Sequence, residues 1–207
     1  MSTGRILFGV AIILGIGMAF VVIGTQRLAR WEVVDVRDPA HIEMACGRTS
    51  MNGPASGDTV EPGLIITGLD STLTLGLDGF LVLHMTPNSV VNLPPAPARW
   101  LGRHRVLRVD DGEIALTSGE RELGRTLVVD TLAGRIILHG ASLVVRYRES
   151  SIDILQSRGV VEVRTPDGGV RRLAGEVGIR LREGIAAEMI PVDETAHALI
   201  RALSQNE

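Results

Sequence analysis

Apolar and polar positions follow three different rhythms along this chain. From Ile6 to Gly24 there is no alternation: the run ILFGVAIILGIGMAFVVIG carries no charged residue. A run of that length, at about 1.5 Å rise per residue, reaches roughly 28 Å, close to a hydrocarbon core of about 30 Å. It predicts one membrane-spanning helix. A cleavable signal peptide would have a shorter apolar region followed by a small-x-small site, whereas Thr25, Gln26, Arg27, Leu28, Ala29 and Arg30 follow here.

The second rhythm begins at Gly57, where the period becomes two. Leu73, Leu75 and Leu77 alternate with Thr72, Thr74 and Gly76, and Leu81, Leu83 and Met85 with Val82 and His84. Such alternation marks half-buried strands. Further short β runs are expected at Arg105–Val109, Glu113–Leu116, Thr126–Val129, Arg135–Leu138, Ser142–Arg148, Ser151–Leu155, Val160–Arg164, Val170–Leu173 and Val177–Leu181. Turn signals separate them at Asp78-Gly79, Asp111-Gly112, Gly119, Gly134, Gly140 and Asp167-Gly168-Gly169. Short strands with such breaks predict a sandwich, barrel or solenoid. The third rhythm is helical. Ala196, Leu199, Ile200 and Leu203 share one face, Pro191 precedes them and Asp193 is placed to cap. A short amphipathic helix is expected there.

The predicted organisation is a short tail at 1–5, a transmembrane helix at 6–24, a linker at 25–56, a β domain at 57–184 and a tail with the amphipathic helix at 185–207. In the linker, WEVVDV suits a short strand and Pro39–Ala45 a turn of helix; Pro39, Gly47, Gly53 and Pro54 otherwise punctuate it.

Composition narrows the function classes. Aromatic residues make up 3% of the chain, so the core must be built from Leu, Val and Ile. There is no lysine, and the net charge is −3, without the basic excess of a nucleic-acid binder. The single cysteine, Cys46, cannot form an intrachain disulfide. His41, His84, His104, His139 and His197 show no metal-ligand spacing, and no nucleophile, phosphate-loop or dinucleotide motif is present. No catalysis, metal or cofactor is expected.

Three groups of residues are candidate contacts. Ala11, Gly15 and Ala19 are spaced by four and form a small-residue stripe that lets another helix approach closely. Arg27, Arg30 and Trp31 suit the membrane–water interface. Arg99, Trp100, Arg103, His104, Arg105 and Arg108 follow the Pro94-Pro95-Ala96-Pro97 stretch, and this arginine cluster suits an acidic protein surface or lipid headgroups.

The stretch from Gly57 to Leu93 resembles the start of FecR-type domains. The elements that carry the resemblance are Gly57-Asp58, Ile65-Ile66-Thr67-Gly68, the alternating Leu73–Leu77, Asp78-Gly79 and Pro87-Asn88-Ser89. Later, Asp111-Gly112-Glu113, Leu127–Thr131 and Leu173-Ala174-Gly175-Glu176 continue it, over roughly 57–184 in all. Gly140-Ala141-Ser142-Leu143 departs from the family's Gly-Thr-x-Phe, and Arg158-Gly159 from its Glu-Gly. The resemblance implies a β-solenoid-like or twisted β-sandwich domain on the periplasmic side of a bacterial inner membrane. The arginine count, Arg5 before the apolar run against Arg27, Arg30 and Arg37 after it, favours the opposite side. Sigma-binding relatives carry a helical cytoplasmic segment, and Met1 to Arg5 is too short for one.

The sequence therefore leads to a mainly β, non-enzymatic, membrane-anchored protein-binding domain. The first expectation is an accessory subunit or scaffold of a larger membrane complex. Its partners would be integral membrane proteins, the lipid bilayer and a second copy of the chain. The alternative is a FecR-like signalling component that relays an envelope signal through a separate cytoplasmic partner.

Overall fold

A computed structural model describes residues 30–46, 49–77, 81–96, 105–118, 127–148, 151–182 and 185–204. The chain enters as β1 (Trp31–Arg37), makes a 3-10 turn at Pro39–His41, and continues as β2 (Ile42–Cys46), β3 (Thr49–Asn52) and β4 (Thr59–Val60). Next come β5 (Gly63–Thr67), β6 (Thr72–Leu77), β7 (Leu81–Met85), β8 (Val90–Leu93), β9 (Arg105–Asp111) and β10 (Glu113–Ser118). Then follow β11 (Leu127–Thr131), the long β12 (Gly134–Arg148) and β13 (Ser151–Arg164), and β14 (Val170–Ala174), β15 (Val177–Arg182) and β16 (Ile185–Ile190). Helix α1 (Glu194–Ser204) ends the described chain.

All strands join one 16-stranded sheet. It is antiparallel except for the β9–β11 pair. The β12–β13 hairpin is its spine. Residues 134–138 of β12 pair with β11, while residues 142–146 pair with β10. Likewise β14 pairs with residues 160–164 of β13, and β15 with residues 151–156. The sheet therefore has two walls that share the spine and curl into an open half-barrel. The first wall runs β3-β2-β5-β8-β9-β11 to the spine, and the second runs β4-β1-β6-β7-β10 to it.

Glycine makes the bend in the spine possible. The register slips between His139 and Ser142, and Gly140 and Gly159 take positive φ there. A Cβ on Gly159 would lie 2.1 Å from the Gly140 carbonyl oxygen. Only a residue without a side chain allows the two backbones this close.

The chain crosses between walls again at tight corners, and these corners bond to one another. Gly68 N donates to His41 O, Asn88 N to Gly68 O, and Thr67 N to Ser89 O. The Thr67 hydroxyl donates to Thr86 O at 2.7 Å, and the Ser89 hydroxyl to Glu113 O at 2.9 Å. At the β9–β10 corner Gly112 sits at φ 86°, where a Cβ would meet Ser89 at 2.5 Å. Thus the segments Ile65–Gly68, Pro87–Ser89 and Asp111–Glu113, which carry the family resemblance, hold the corners of the fold.

Between the walls lies an aliphatic core. Ile42, Met44, Ile65, Val91, Leu107, Val129 and Ile136 reach it from the first wall, and Val33, Leu73, Leu75, Leu83, Ile114, Leu143 and Ile154 from the second. Burying each such side chain stabilises the fold by roughly 1.5–3 kcal/mol. With few aromatic rings, the number of aliphatic chains does the packing. A smaller cluster lies outside the second wall, where Ala115, Val144 and Leu155 meet Ala196, Ile200 and Leu203 of α1. Hence β10 is apolar at successive positions: Ile114 and Leu116 face the core, Ala115 faces the helix.

The expected architecture is corrected in three respects. The described chain is a mainly β half-barrel with one short C-terminal helix, not a solenoid-like or sandwich domain behind a transmembrane helix. Gly140, expected as a turn, and Gly159, left between two expected short strands, lie inside long strands and bend them, so the chain meanders antiparallel instead of coiling. Within residues 31–52, expected as a linker, the strand expected at WEVVDV is β1, the turn of helix expected at Pro39–Ala45 is a 3-10 turn over Pro39–His41 followed by β2, and β3 is a further strand. Finally, among the described residues no helix is long and apolar enough to cross a membrane. The apolar run 6–24 lies outside the described residues.

Candidate functional site

The expected contact residues are distributed as follows. Ala11, Gly15, Ala19 and Arg27 lie outside the described residues, as do Arg99, Trp100, Arg103 and His104. Arg30 is exposed just before β1. Trp31, expected at a lipid interface, is a core residue instead: it is 2% exposed and its Nε1 donates to Pro94 O at 2.9 Å. An indole needs both apolar contact and a partner for its N–H, and the core supplies both. Arg105 opens β9. Arg108 projects from the outer face of the first wall, where its Nε donates to Asp110 Oδ1 at 2.7 Å.

The outer face of the second wall carries an arrangement that only strand pairing reveals. Side chains between core positions point outward, and the register aligns five of them in a row across β10, β12, β13, β15 and β16. The row reads Glu113, Arg146, Asp153, Arg180, Glu188, alternating in sign. Arg180 grips Asp153 through two bonds of 2.6 and 2.9 Å, and Arg148 adds a third at 2.8 Å. The Asp153 side chain is only 2% exposed. Burial alone would raise its pKa, but the bonds from Arg180 and Arg148 outweigh burial and hold it below the usual carboxylate value.

Helix α1 docks beside this row. Asp193 accepts the Ala196 N–H at 2.8 Å, a helix cap, and also accepts a bond from Arg146 Nη1 at 2.5 Å. The other Arg146 terminal nitrogen binds Glu113 at 2.8 Å. One arginine thus serves both the row and the helix. The hydrogen bond from Arg146 also lowers the pKa of Asp193. The adjacent row, Ala115, Val144, Leu155, Gly178 and Ile190, is apolar and lies under the helix.

The first wall repeats this pairing of rows without a helix among the described residues. Arg108, Asp130, Arg135 and Arg164 align in one row. Val106, Val128, Ile137, Glu162 and Arg172 align in the next. Asp130 accepts two bonds from Arg135, at 2.7 and 3.1 Å, and Glu162 accepts one from Arg164 Nε at 2.6 Å. Two shallow depressions meet at Arg108. One, of about 460 Å³, is lined by Asp130, Leu132, Arg135, Arg164 and Pro166 among others. The second, of about 520 Å³, is lined by Pro62, Asn92, Pro94, Pro95 and Val106 among others. Val106 is 39% exposed, large for a valine in mid-sheet.

The histidines are dispersed. His41 pairs with Asp38 and His197 with Glu176, each at 2.9 Å. His84 Nδ1 lies 2.9 Å from the Thr74 hydroxyl, and burial lowers its pKa against the opposing pull of Asp35 and Glu113. Among the described residues no group of three or more His, Cys, Asp or Glu could hold a metal ion. The strongest surface feature is therefore the outer face of the first wall, with Arg108 at its centre.

No family model matches the chain, and no curated protein matches it. Solved structures do. The chain is similar to two crystal structures of "a putative anti-sigma factor from Parabacteroides distasonis", at 1.65 and 2.50 Å resolution, with TM-scores of 0.53. Identity is 22% and 21%. Each match covers 63% of this chain and 60% of the other. The likeness shows a shared fold over somewhat under two thirds of either chain.

Proposed function

We propose that this chain is a non-enzymatic protein-binding module in a signalling relay of the FecR and anti-sigma-factor kind. The observation that carries the reading is the half-barrel fold shared with the Parabacteroides distasonis protein. The FecR-like segments support it, because they occupy the wall-crossing corners and so mark the scaffold rather than a reaction centre. This fold likeness favours signalling over the accessory-subunit role first expected. A binding module needs a stable frame and an outward face; the frame here bonds its polar backbone at the corners, and α1 covers the second wall while no described helix covers the first.

The test is transcriptional. Deleting the gene should change the transcript levels of a defined gene set, and the full-length chain supplied in trans should restore them. Unchanged transcripts in the deletion strain under envelope stress would refute the relay.

A further inference from the structure

We infer that the outer face of the first wall is a docking surface for an acidic amphipathic helix of a partner protein. The inference rests on the signalling reading only for the existence of a partner; the surface and its chemistry come from the fold itself.

The second wall shows what covers such a face in this architecture. There a charged row lies beside an apolar row, and an amphipathic helix sits on the apolar row with Ala196, Ile200 and Leu203. The helix is fixed at its N-terminus by an acid, Asp193, on a row arginine, Arg146. That arginine is 11% exposed under its cover. The first wall has a comparable pair of rows. One begins apolar, with Val106, Val128 and Ile137, and continues into Glu162 and Arg172; Val106 is 39% exposed and Val128 5%. The other runs Arg108, Asp130, Arg135 and Arg164. Among the described residues, Arg108 and Arg164 use only Nε for their carboxylates. Their side chains are 60% and 55% exposed, so the terminal nitrogens face solvent. These are the donors with which Arg146 holds the helix on the other wall.

Charge selects the occupant. On the part of this face formed by β9 and β11–β14, Arg108, Arg135, Arg164 and Arg172 outnumber Asp110, Asp130 and Glu162, and Arg172 has no ion pair among the described residues. Arginine on a planar face suits carboxylates, which it binds in a fork. The occupant is then a helix with apolar side chains at i, i+4 and i+7 and acids at its cap and first turn, the pattern of Ala196, Ile200, Leu203, Asp193 and Glu194. Acids there also complement the positive end of the helix dipole. The depressions on either side of Arg108 give it a seat broader than a single side chain.

The experiment uses the full-length chain and two designed, acetylated helical peptides. One carries Asp-Glu-Glu at its N-terminus and leucines at i, i+4 and i+7; the other is identical except for Lys-Arg-Lys. Binding is read by fluorescence anisotropy, and the site by methyl resonances of Val106, Val128 and Ile137. The acidic peptide should shift those methyls and the basic one should not. The double variant Arg135→Glu/Arg164→Glu should weaken the acidic peptide by about tenfold or more, in line with the loss of two charge-assisted contacts. Val106→Asp, at an exposed position, should weaken it independently.

Equal binding of both peptides, or shifts confined to Val144 and Leu155 beneath α1, would overturn the proposal. So would self-association of the chain that the arginine variants abolish, which would make the face a dimer contact. Binding of phosphatidylglycerol vesicles with no response to the acidic peptide would overturn it in favour of a lipid surface. Loss of the peptide contact while the transcriptional effect of deletion persists would reject this surface and leave the relay standing.

Discussion

Asp153 offers a sharp test of how the second wall is held. The perturbation is Asp153→Asn, which keeps the size of the side chain and removes its charge. In the native protein the carboxylate accepts three bonds, two from Arg180 and one from Arg148, at a side chain 2% exposed. An amide keeps one acceptor oxygen and turns an N–H₂ group toward guanidinium donors. Charge-assisted hydrogen bonds contribute roughly 1.5–3 kcal/mol each; Oδ2 accepts two of the three, so an amide oxygen placed there keeps two as weaker neutral-acceptor bonds and loses the one from Arg180 Nε. Arg148 is half-exposed, so its bond counts as a surface pair of at most about 1 kcal/mol. Neutral Asn also costs less to bury than Asp. The net expectation is a loss of about 2 kcal/mol at pH 7. Urea unfolding followed by circular dichroism reads it as a lower midpoint at unchanged slope. The pH dependence gives a second reading. The folded pKa of Asp153 lies below its unfolded value. Its contribution is therefore complete above the unfolded value of about 3.9 and disappears as pH falls through the folded one. The gap between the two proteins should be constant from pH 7 to 5 and close below about pH 4. A gap under about 0.5 kcal/mol at pH 7 would refute the reasoning, as would one that stays constant down to pH 3.

Other expectations follow from single positions. Gly159→Ala places a Cβ 2.1 Å from a backbone oxygen at φ 83°, so it should cost about 2–4 kcal/mol by urea denaturation. Replacement of Ile200 by Asp should release α1 from Val144 and Leu155, seen as lost amide-exchange protection in 194–204 with protection of β12 retained. His84 is held neutral mainly by burial, so its folded pKa lies below the unfolded value of about 6.5. The unfolded chain binds the extra proton first, and stability, complete above about pH 6.5, declines as pH falls toward the folded value. His84→Gln should flatten the dependence of the unfolding midpoint between pH 6.5 and 5.

The sequence disclosed local features and concealed those made by distant pairing. Helix α1 was legible because its signals are adjacent: Asp193 caps, Ala196, Ile200 and Leu203 share a face, and Pro191 stops what precedes. The alternation in β6 and β7 was legible for the same reason. WEVVDV was legible as β1, although it was assigned to a linker. By contrast β2 and β3 hide between Pro39, Gly47, Gly53 and Pro54, residues that read as a linker until β5 supplies the ladder to β2. Gly140 read as a turn, and Gly159 fell between two short runs, because a glycine inside a strand and a glycine at its end look alike; only the opposing backbone distinguishes them. Of the two charged rows only Arg108 had a sequence signal, as part of the arginine cluster; the alignment of the rest had none. Glu113, Arg146, Asp153 and Arg180 are spread over four strands, and only their register brings them together.

That register explains why the rows are worth having in a fold with few aromatic anchors. Val, Leu and Ile are nearly interchangeable as core fillers, so aliphatic alternation fixes which face of a strand is buried better than it fixes which neighbour each residue meets. A two-residue slip of β13 against β12 would keep Ile152 and Ile154 inward, yet it would move Asp153 from Arg146 to a position opposite Val144 or Arg148. The alternating row makes that slip costly at Asp153, where the carboxylate is buried, and α1 locks the result by placing Asp193 on Arg146. On the first wall Asp130 lies opposite both Arg108 and Arg135 and so favours the register of β9, β11 and β12, whereas Arg135 meets Arg164 across β12–β13; these arginines remain at the surface. Asp130 can therefore align β9, β11 and β12, while Arg164, bonded to Glu162 of its own strand and 55% exposed, takes no part in fixing register, so alteration of Arg164 should change partner binding far more than it changes stability.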